Sequence, residues 1–144
     1  MKKILIVDDD KKIAAALSIR LKSAGYDVVT ASDGLQGLSS AVQTKPDLIV
    51  LDIWLPGAVG FLIAERLKNL GLGGIPLIFI TASKKKDLWN LAQEVGAAGF
   101  FEKPYDPEKL LRTIARSLGQ TATDLPAGGN TNHAERALVH KEET

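Results

Sequence analysis

Leu48-Ile49-Val50-Leu51-Asp52 is a run of four aliphatic residues that ends on a carboxylate. No polar residue alternates with the apolar ones, so both faces of the strand must be covered. That is the condition of a parallel sheet packed between helices. Two other runs have the same character. Ile4-Leu5-Ile6-Val7 ends in Asp8-Asp9-Asp10, and Leu77-Ile78-Phe79-Ile80 ends in Thr81-Ala82. Two weaker runs are Asp27-Val28-Val29-Thr30 and Ala98-Gly99-Phe100-Phe101, the second leading to Lys103-Pro104.

Between the runs the apolar period becomes helical. Ile13, Leu17 and Leu21 mark a first helix that stops at Gly25. Leu35, Leu38 and Val42 mark a second, broken at Lys45-Pro46. Phe61, Ala64, Leu67 and Leu70 mark a third, stopped by glycines 71, 73 and 74. Leu88, Leu91 and Val95 mark a fourth ending at Gly96. Leu110, Leu111, Ile114 and Leu118 mark a fifth, with Pro107 in its first turn. Strand-plus-helix units of 21 to 28 residues, five in series, predict an α/β doubly wound sheet: five parallel strands flanked by five helices.

The remaining composition narrows the function. The 144 residues suffice for one core of ordinary size. The absence of cysteine excludes disulfides, Cys-ligated zinc and thiol catalysis. Both histidines, His133 and His140, lie near the C-terminus, away from every strand end, so no His-rich metal site is expected. A net charge of +1 offers no field for nucleic acid or an anionic membrane. No apolar stretch approaches the ~18 residues of a membrane span, and the four-residue run after Met1 is too short for a signal peptide. A cytoplasmic location is the expectation. Residues 120–144 are polar and Gly-rich, with four acidic against two basic side chains, and read as a flexible tail behind a domain of residues 1–119.

In a doubly wound sheet the functional groups gather outside the carboxyl ends of the strands. Here those ends carry Asp8, Asp9, Asp52, Thr81 and Lys103. Clustered carboxylates repel and need a counter-charge, which Lys103 and a hard, oxygen-liganded cation such as Mg²⁺ would supply. A carboxylate so placed suits phosphoryl transfer. Asp52 would be the nucleophile, with Lys103, the Thr81 hydroxyl and the Ala82 backbone N–H stabilising the transferred group.

Ile6-Val7-Asp8-Asp9-Asp10, Leu51-Asp52-Ile53-Trp54-Leu55-Pro56-Gly57, Thr81-Ala82 and Gly99-Phe100-Phe101-Glu102-Lys103-Pro104 together resemble response-regulator receiver domains. The resemblance runs from residue 3 to about 118, with four motifs at four strand ends. It implies a flavodoxin-like receiver fold, apparently in a single-domain protein of two-component signalling. Asp52 would accept a phosphoryl group from a histidine kinase or histidine phosphotransfer protein. Asp9, Asp52 and the Trp54 carbonyl would bind Mg²⁺, with Asp8 orienting its waters. Thr81, Ala82 and Lys103 would hold the phosphoryl group, Phe100 would match the switch aromatic, and the Lys103-Pro104 bond is expected to be cis. Phosphorylation would then alter binding of a downstream protein, or self-association, through the face built by the fourth helix, fifth strand and fifth helix. Beyond modifying itself, such a domain is not expected to be an enzyme.

Two positions depart from the family pattern. Val59 stands where an aspartate would cap the third helix, a loss that typically costs ~1 kcal/mol. Trp54 is larger than the usual residue, and its indole is expected to overhang the pocket and restrict access. Other readings stay open on the residues alone. Phe100 is core or switch; Trp89 is an exposed anchor or a partly buried side chain; Lys84-Lys85-Lys86 is a solvated turn or a partner-binding patch. Asp10 reads as the cap of the first helix. A phosphorylation-independent scaffold is the alternative function. A flavin carrier is disfavoured because Asp8-Asp9-Asp10 would repel a flavin phosphate.

Overall fold

In the computed structural model, which describes residues 1–56 and 58–120, the three uninterrupted aliphatic runs become the interior of one sheet. The elements in chain order are β1 (Lys3–Val7), α1 (Lys11–Ser23), β2 (Asp27–Ala31), α2 (Gly34–Thr44) and β3 (Leu48–Asp52). A small ribbon follows, β4 (Trp54–Leu55) and β5 (Ala58–Val59). Then come α3 (Gly60–Asn69), β6 (Leu77–Thr81), α4 (Lys86–Glu94), β7 (Gly99–Glu102) and α5 (Pro107–Ser117). The five long strands pair in parallel in the order β2-β1-β3-β6-β7. The wholly apolar runs thus take the three central places, and the two weaker ones take the edges. Central strands are covered on both faces and edge strands only partly, so the composition of each run matches its place.

Side chains alternate across the sheet and build a core on each face. Leu5, Val7, Ile49, Leu51, Phe79 and Phe100 point to the side covered by α2, α3 and α4. Ile4, Ile6, Leu48, Val50, Ile78, Ile80 and Phe101 meet Leu17 and Leu21 of α1 and Leu110 and Ile114 of α5. α1, α3, α4 and α5 are each followed by a glycine at positive φ, residues 25, 71, 96 and 119. The left-handed turn that closes these helices costs a glycine nothing. α2 instead turns on Lys45 at φ 46°, just before Pro46.

Two helical faces differ from the sequence reading. On α2, Leu35 is 80% exposed and Val42 47%, while Gly34, Gly37 and Ala41 are buried. The cause is proximity: a Cβ on Gly37 would lie 2.9 Å from a Val7 methyl, so only small residues let α2 approach β1 this closely. On α4 the inner face is Leu88, Trp89 and Ala92. With the bulky indole inward, the helical period carries Leu91 and Val95 outward, and both are exposed. Trp89 is therefore a core residue, not a surface anchor. Leu70, read as apolar face of α3, falls at its C-cap and is exposed.

At the other end of the domain, Gln120 accepts a 2.6 Å hydrogen bond from the Tyr26 hydroxyl, so the first residue assigned to the tail packs on the body. The rest of that segment lies outside the described residues. Among the described residues, no helix is long and apolar enough to cross a membrane.

Candidate functional site

The strand order reverses between β1 and β3, and their register pairs Val7 with Leu51. Asp8 and Asp52, one residue further on, therefore emerge side by side. β6 follows β3, and β7 follows β6 with Thr81 opposite Glu102, so Thr81 and Lys103 reach the same edge. Lys103 N–H donates to the Thr81 carbonyl at 2.7 Å, which extends that ladder by one bond and seats the lysine backbone. The Lys103-Pro104 peptide bond is cis.

The Lys103 ammonium joins two carboxylates. It lies 2.9 Å from Asp52 Oδ2 and donates to Asp8 Oδ1 at 3.2 Å. Asp8 Oδ1 also accepts from Asp10 N–H, and Asp52 Oδ1 accepts from Trp54 N–H at 3.1 Å. Both carboxylates are buried, with side chains 0% and 6% exposed. Burial pushes the Asp52 carboxyl above its ordinary range. The hydrogen bond and charge of Lys103 and the Trp54 amide oppose this, and the charge of Asp8 adds to it. For Lys103 burial acts downward, but the hydrogen bonds and charges of Asp52 and Asp8 outweigh it and hold the ammonium above the usual lysine range.

The donor set fits a hard cation. Carboxylate oxygens of Asp8, Asp9 and Asp52 lie within 4.8 Å of one another, three negative charges against one ammonium. Asp8 Oδ2 is buried and, although 3.0 Å from the ammonium, receives no hydrogen bond. An all-oxygen set with an unsatisfied buried carboxylate oxygen suits a divalent cation of the Mg²⁺ type.

The other predicted residues divide into mouth and interior. Asp9, Asp52, Trp54, Ala82 and Lys103 line an open cleft of about 500 Å³. Thr81 is fully buried, and its hydroxyl accepts from Ser83 N–H at 3.0 Å. Phe100 is 3% exposed in the same core as Trp89. Asp10 caps α1 by accepting from the amides of Lys12 and Ile13. Val59 supplies no side-chain cap to α3. The helix is held instead by the β4–β5 ribbon, with Trp54 opposite Val59, and by a 2.6 Å bond from Gly60 N–H to the Ile53 carbonyl.

Two residues at the site, Gly60 and Tyr105, carried no sequence reading, and a third, Lys85, was read only as part of the Lys84-Lys85-Lys86 run. A Cβ on Gly60 would lie 2.8 Å from the Asp52 carbonyl oxygen and 2.9 Å from Ile53 Cα, so α3 starts against the end of β3 only because residue 60 is glycine. Tyr105 flanks the cluster, its hydroxyl pushed up by burial and by the charge of Asp8. Lys85 reaches over Trp54, its Nζ 5.9 Å from a ring centroid. A glycine after Val59 was the only sequence signal for the first, nothing local marked Tyr105, and the lysine run did not point to Trp54.

A family model described as the response regulator receiver domain matches residues 4–115. The chain is 39% identical over 122 residues to the DNA-binding dual master transcriptional regulator RpaA of Synechocystis sp., covering 84% of this chain and 51% of that protein. It is 36% identical over 131 residues to the alkaline phosphatase synthesis transcriptional regulatory protein PhoP of Bacillus subtilis, covering 91% and 54%. The chain thus spans about half the length of these relatives. Among solved structures, a CheY-like receiver domain protein from Methanospirillum hungatei superposes with a TM-score of 0.78 at 30% identity, covering 83% of this chain and 94% of that one. The carboxylates and lysine at the strand ends, the strand order and these matches agree: the chain belongs to the response regulator receiver domain family.

Proposed function

We propose that residues 1–119 form a signalling switch in which Asp52 is the phosphoacceptor. The observation that carries this is the single Lys103 ammonium bonded to both Asp8 and Asp52 at the floor of an open cleft. A histidine kinase or histidine phosphotransfer protein would present a phosphoimidazole at the mouth. An Asp52 oxygen attacks phosphorus as the P–N bond breaks, and the imidazole nitrogen keeps the electron pair and takes a proton from solvent. Lys103 then exchanges part of its carboxylate contact for a phosphoryl oxygen. The Ala82 amide, at the cleft wall, donates to another. The Thr81 hydroxyl accepts from Ser83 in this state, so its own proton is available to a third. Asp9, Asp52 and the Trp54 carbonyl would hold Mg²⁺, with Asp8 orienting its waters; when bound, the ion neutralises charge on the phosphoryl oxygens. The chemistry is self-modification and its reversal, with no separate metabolite turned over.

Thr81 ends β6, where the connection to α4 begins, and Phe100 lies in the same core as Trp89 of that helix. Movement of Thr81 toward the phosphoryl group would be relayed through Phe100 to the α4–β7–α5 face, changing affinity for a downstream protein or a second copy. The named relatives regulate transcription; what is carried over here is the switch, in a cytoplasmic setting, with protein partners. A phosphorylation-independent scaffold is disfavoured because acceptor, acidic pair and lysine are all present, with Lys103 bonded to both Asp8 and Asp52.

The test is intact mass after incubation with Mg²⁺ and acetyl phosphate. A gain of one phosphoryl group in the wild type and none in Asp52→Asn is expected. Equal gain in both would reject Asp52 as acceptor, and no gain in either would favour the scaffold.

A further inference from the structure

We propose that residues 121–144, which lie outside the described residues, fold back over the outer face of α5 and set their carboxylates against Arg112. This contact is independent of the chemistry at Asp52.

The apolar residues of α5 account for one side of the helix. Leu110, Leu111 and Ile114 enter the core shared with the sheet and α1. Thr113 leans on β7, its Cγ2 2.9 Å from where a Cβ on Gly99 would stand. At ~100° per residue, Arg112 lies about 160° around the helix from Ile114, on the side turned away from that core. A charged side chain there belongs in solvent, and arginine is buried only when it is paired. Arg112 is nevertheless only 7% exposed, and its Nε is buried without an acceptor among the described residues. Among those residues the elements that share the core with α5, the sheet and α1, lie on its opposite side. Another part of the chain therefore covers Arg112.

The cover comes from the C-terminal end of the helix. Glu108, one turn before Arg112 and on the same side, is exposed, whereas Arg116, one turn after it, is half-buried. The chain leaves α5 at that same end. Gly119 turns it at φ 73°, Gln120 N–H donates to the Ala115 carbonyl at 2.9 Å, and the Gln120 side chain accepts from Tyr26. The exit is thus fixed close to the buried arginine. The 11 residues of α5 rise about 16 Å, a distance that the 24 residues after Gln120 can retrace. Pro126 and Gly128-Gly129 supply turn-forming residues for the reversal.

The charges are complementary. α5 carries Lys109, Arg112 and Arg116 against Glu108, while residues 121–144 carry Asp124, Glu135, Glu142 and Glu143 against Arg136 and Lys141. A guanidinium removed from water takes carboxylates best, because its planar fork matches their two oxygens. Leu125, Leu138 and Val139 bring apolar surface to lie along the arginine stem. A second copy or a foreign acidic protein would have to displace a segment tethered beside its own site, at high effective concentration. The segment thereby withholds the basic outer face of α5 from other proteins.

The chain has no cysteine, so Asn132→Cys places a single nitroxide in this segment of the full chain. The amide signals of Lys109, Arg112 and Arg116 should be lost to paramagnetic broadening and return when the nitroxide is reduced. Arg112→Glu should restore them in the labelled chain. Adding Glu135→Lys, Glu142→Lys and Glu143→Lys to that variant should bring the broadening back. Those three replacements alone, which leave the domain untouched, should also free the α5 signals. In a mixture of nitroxide-bearing chains with isotope-enriched chains that lack the nitroxide, the α5 signals should stay intact. Broadening in that mixture would give the face to a second copy and overturn the proposal. So would α5 signals that the nitroxide never reaches, which would leave the face to a foreign acidic partner. Broadening that neither charge change alters would overturn it as well.

Discussion

Replacing Lys103 with Met removes the one cation shared by two buried carboxylates and keeps the side chain's length and apolar stem. Removing one partner of a buried ion pair costs about 3–5 kcal/mol, because the charge left behind is uncompensated. Two carboxylates lose their partner here, at 2.9 and 3.0 Å, which alone points to the upper end. Protonation sets a ceiling. From a carboxyl with an ordinary pKa of 3.8, neutralising one of the pair at pH 7 costs about 4 kcal/mol, at 1.36 kcal/mol per unit. The expected loss is therefore about 3–4 kcal/mol at pH 7, falling below about 2 kcal/mol at pH 5 as the ceiling drops. The sign is that of a group whose folded-state pKa is raised. The folded variant binds more protons than the unfolded chain, so its stability declines as pH rises. Wild-type Asp52, already raised, contributes in the same direction. Lys103, also raised, stabilises the fold below its unfolded pKa and loses that contribution as pH climbs through the folded value. Urea unfolding followed by far-UV circular dichroism measures the effect, a midpoint shift of roughly 2 M at pH 7 for a slope of about 1.5–2 kcal/mol per molar. Added Mg²⁺ should recover part of the loss, about 2.7 kcal/mol at a hundredfold excess over its dissociation constant. A loss under about 1 kcal/mol, or one equal at pH 5 and pH 7, would refute the claim that Lys103 is the principal compensating charge.

Three further outcomes test the packing around the site. Gly60→Ala puts a methyl against two backbone atoms and should cost about 2–3 kcal/mol in chemical unfolding, with weaker Mg²⁺ binding by titration calorimetry. On α2, Leu35→Gln should change stability by no more than about 0.5 kcal/mol, whereas Gly37→Ala should lose about 1 kcal/mol net of its gain in helix propensity. The reverse ranking in thermal unfolding would mean that the leucine face is the buried one. Trp89→Phe keeps a buried ring and removes an N–H that has no acceptor, so its cost should stay under about 1.5 kcal/mol, against about 3–5 for Trp89→Ala.

The sheet was legible because its signal is local. Four consecutive apolar residues, bounded by polar ones and too few for a helix, suit a strand covered on both faces. The uninterrupted apolar runs in β1, β3 and β6 marked them as strands covered on both faces, and the structure places them at the centre. The helices were legible as helices, but their buried faces were not. Leu35 and Val42 show why: burial is decided by how close a helix lies to the sheet, and close approach selects glycine and alanine over leucine. The ribbon from Trp54 to Val59 escaped notice for a related reason. Its backbone pairing takes over the work of a missing cap, and backbone bonds leave no residue signature.

The sequence by itself determined which residues stand at the carboxyl ends of the strands, and in what order. Each sits at the end of an apolar run, and the parallel sheet those runs build must bring their carboxyl ends to one edge. Only the tertiary structure decided how the charges share partners. Lys103 is 95 residues from Asp8 and 51 from Asp52, and its choice of both depends on register and burial rather than on any local pattern. The same holds for the glycine that lets α3 start against Asp52 and for the lysine that reaches Trp54. Distances of a few ångströms between remote segments follow from packing, and packing belongs to the whole chain.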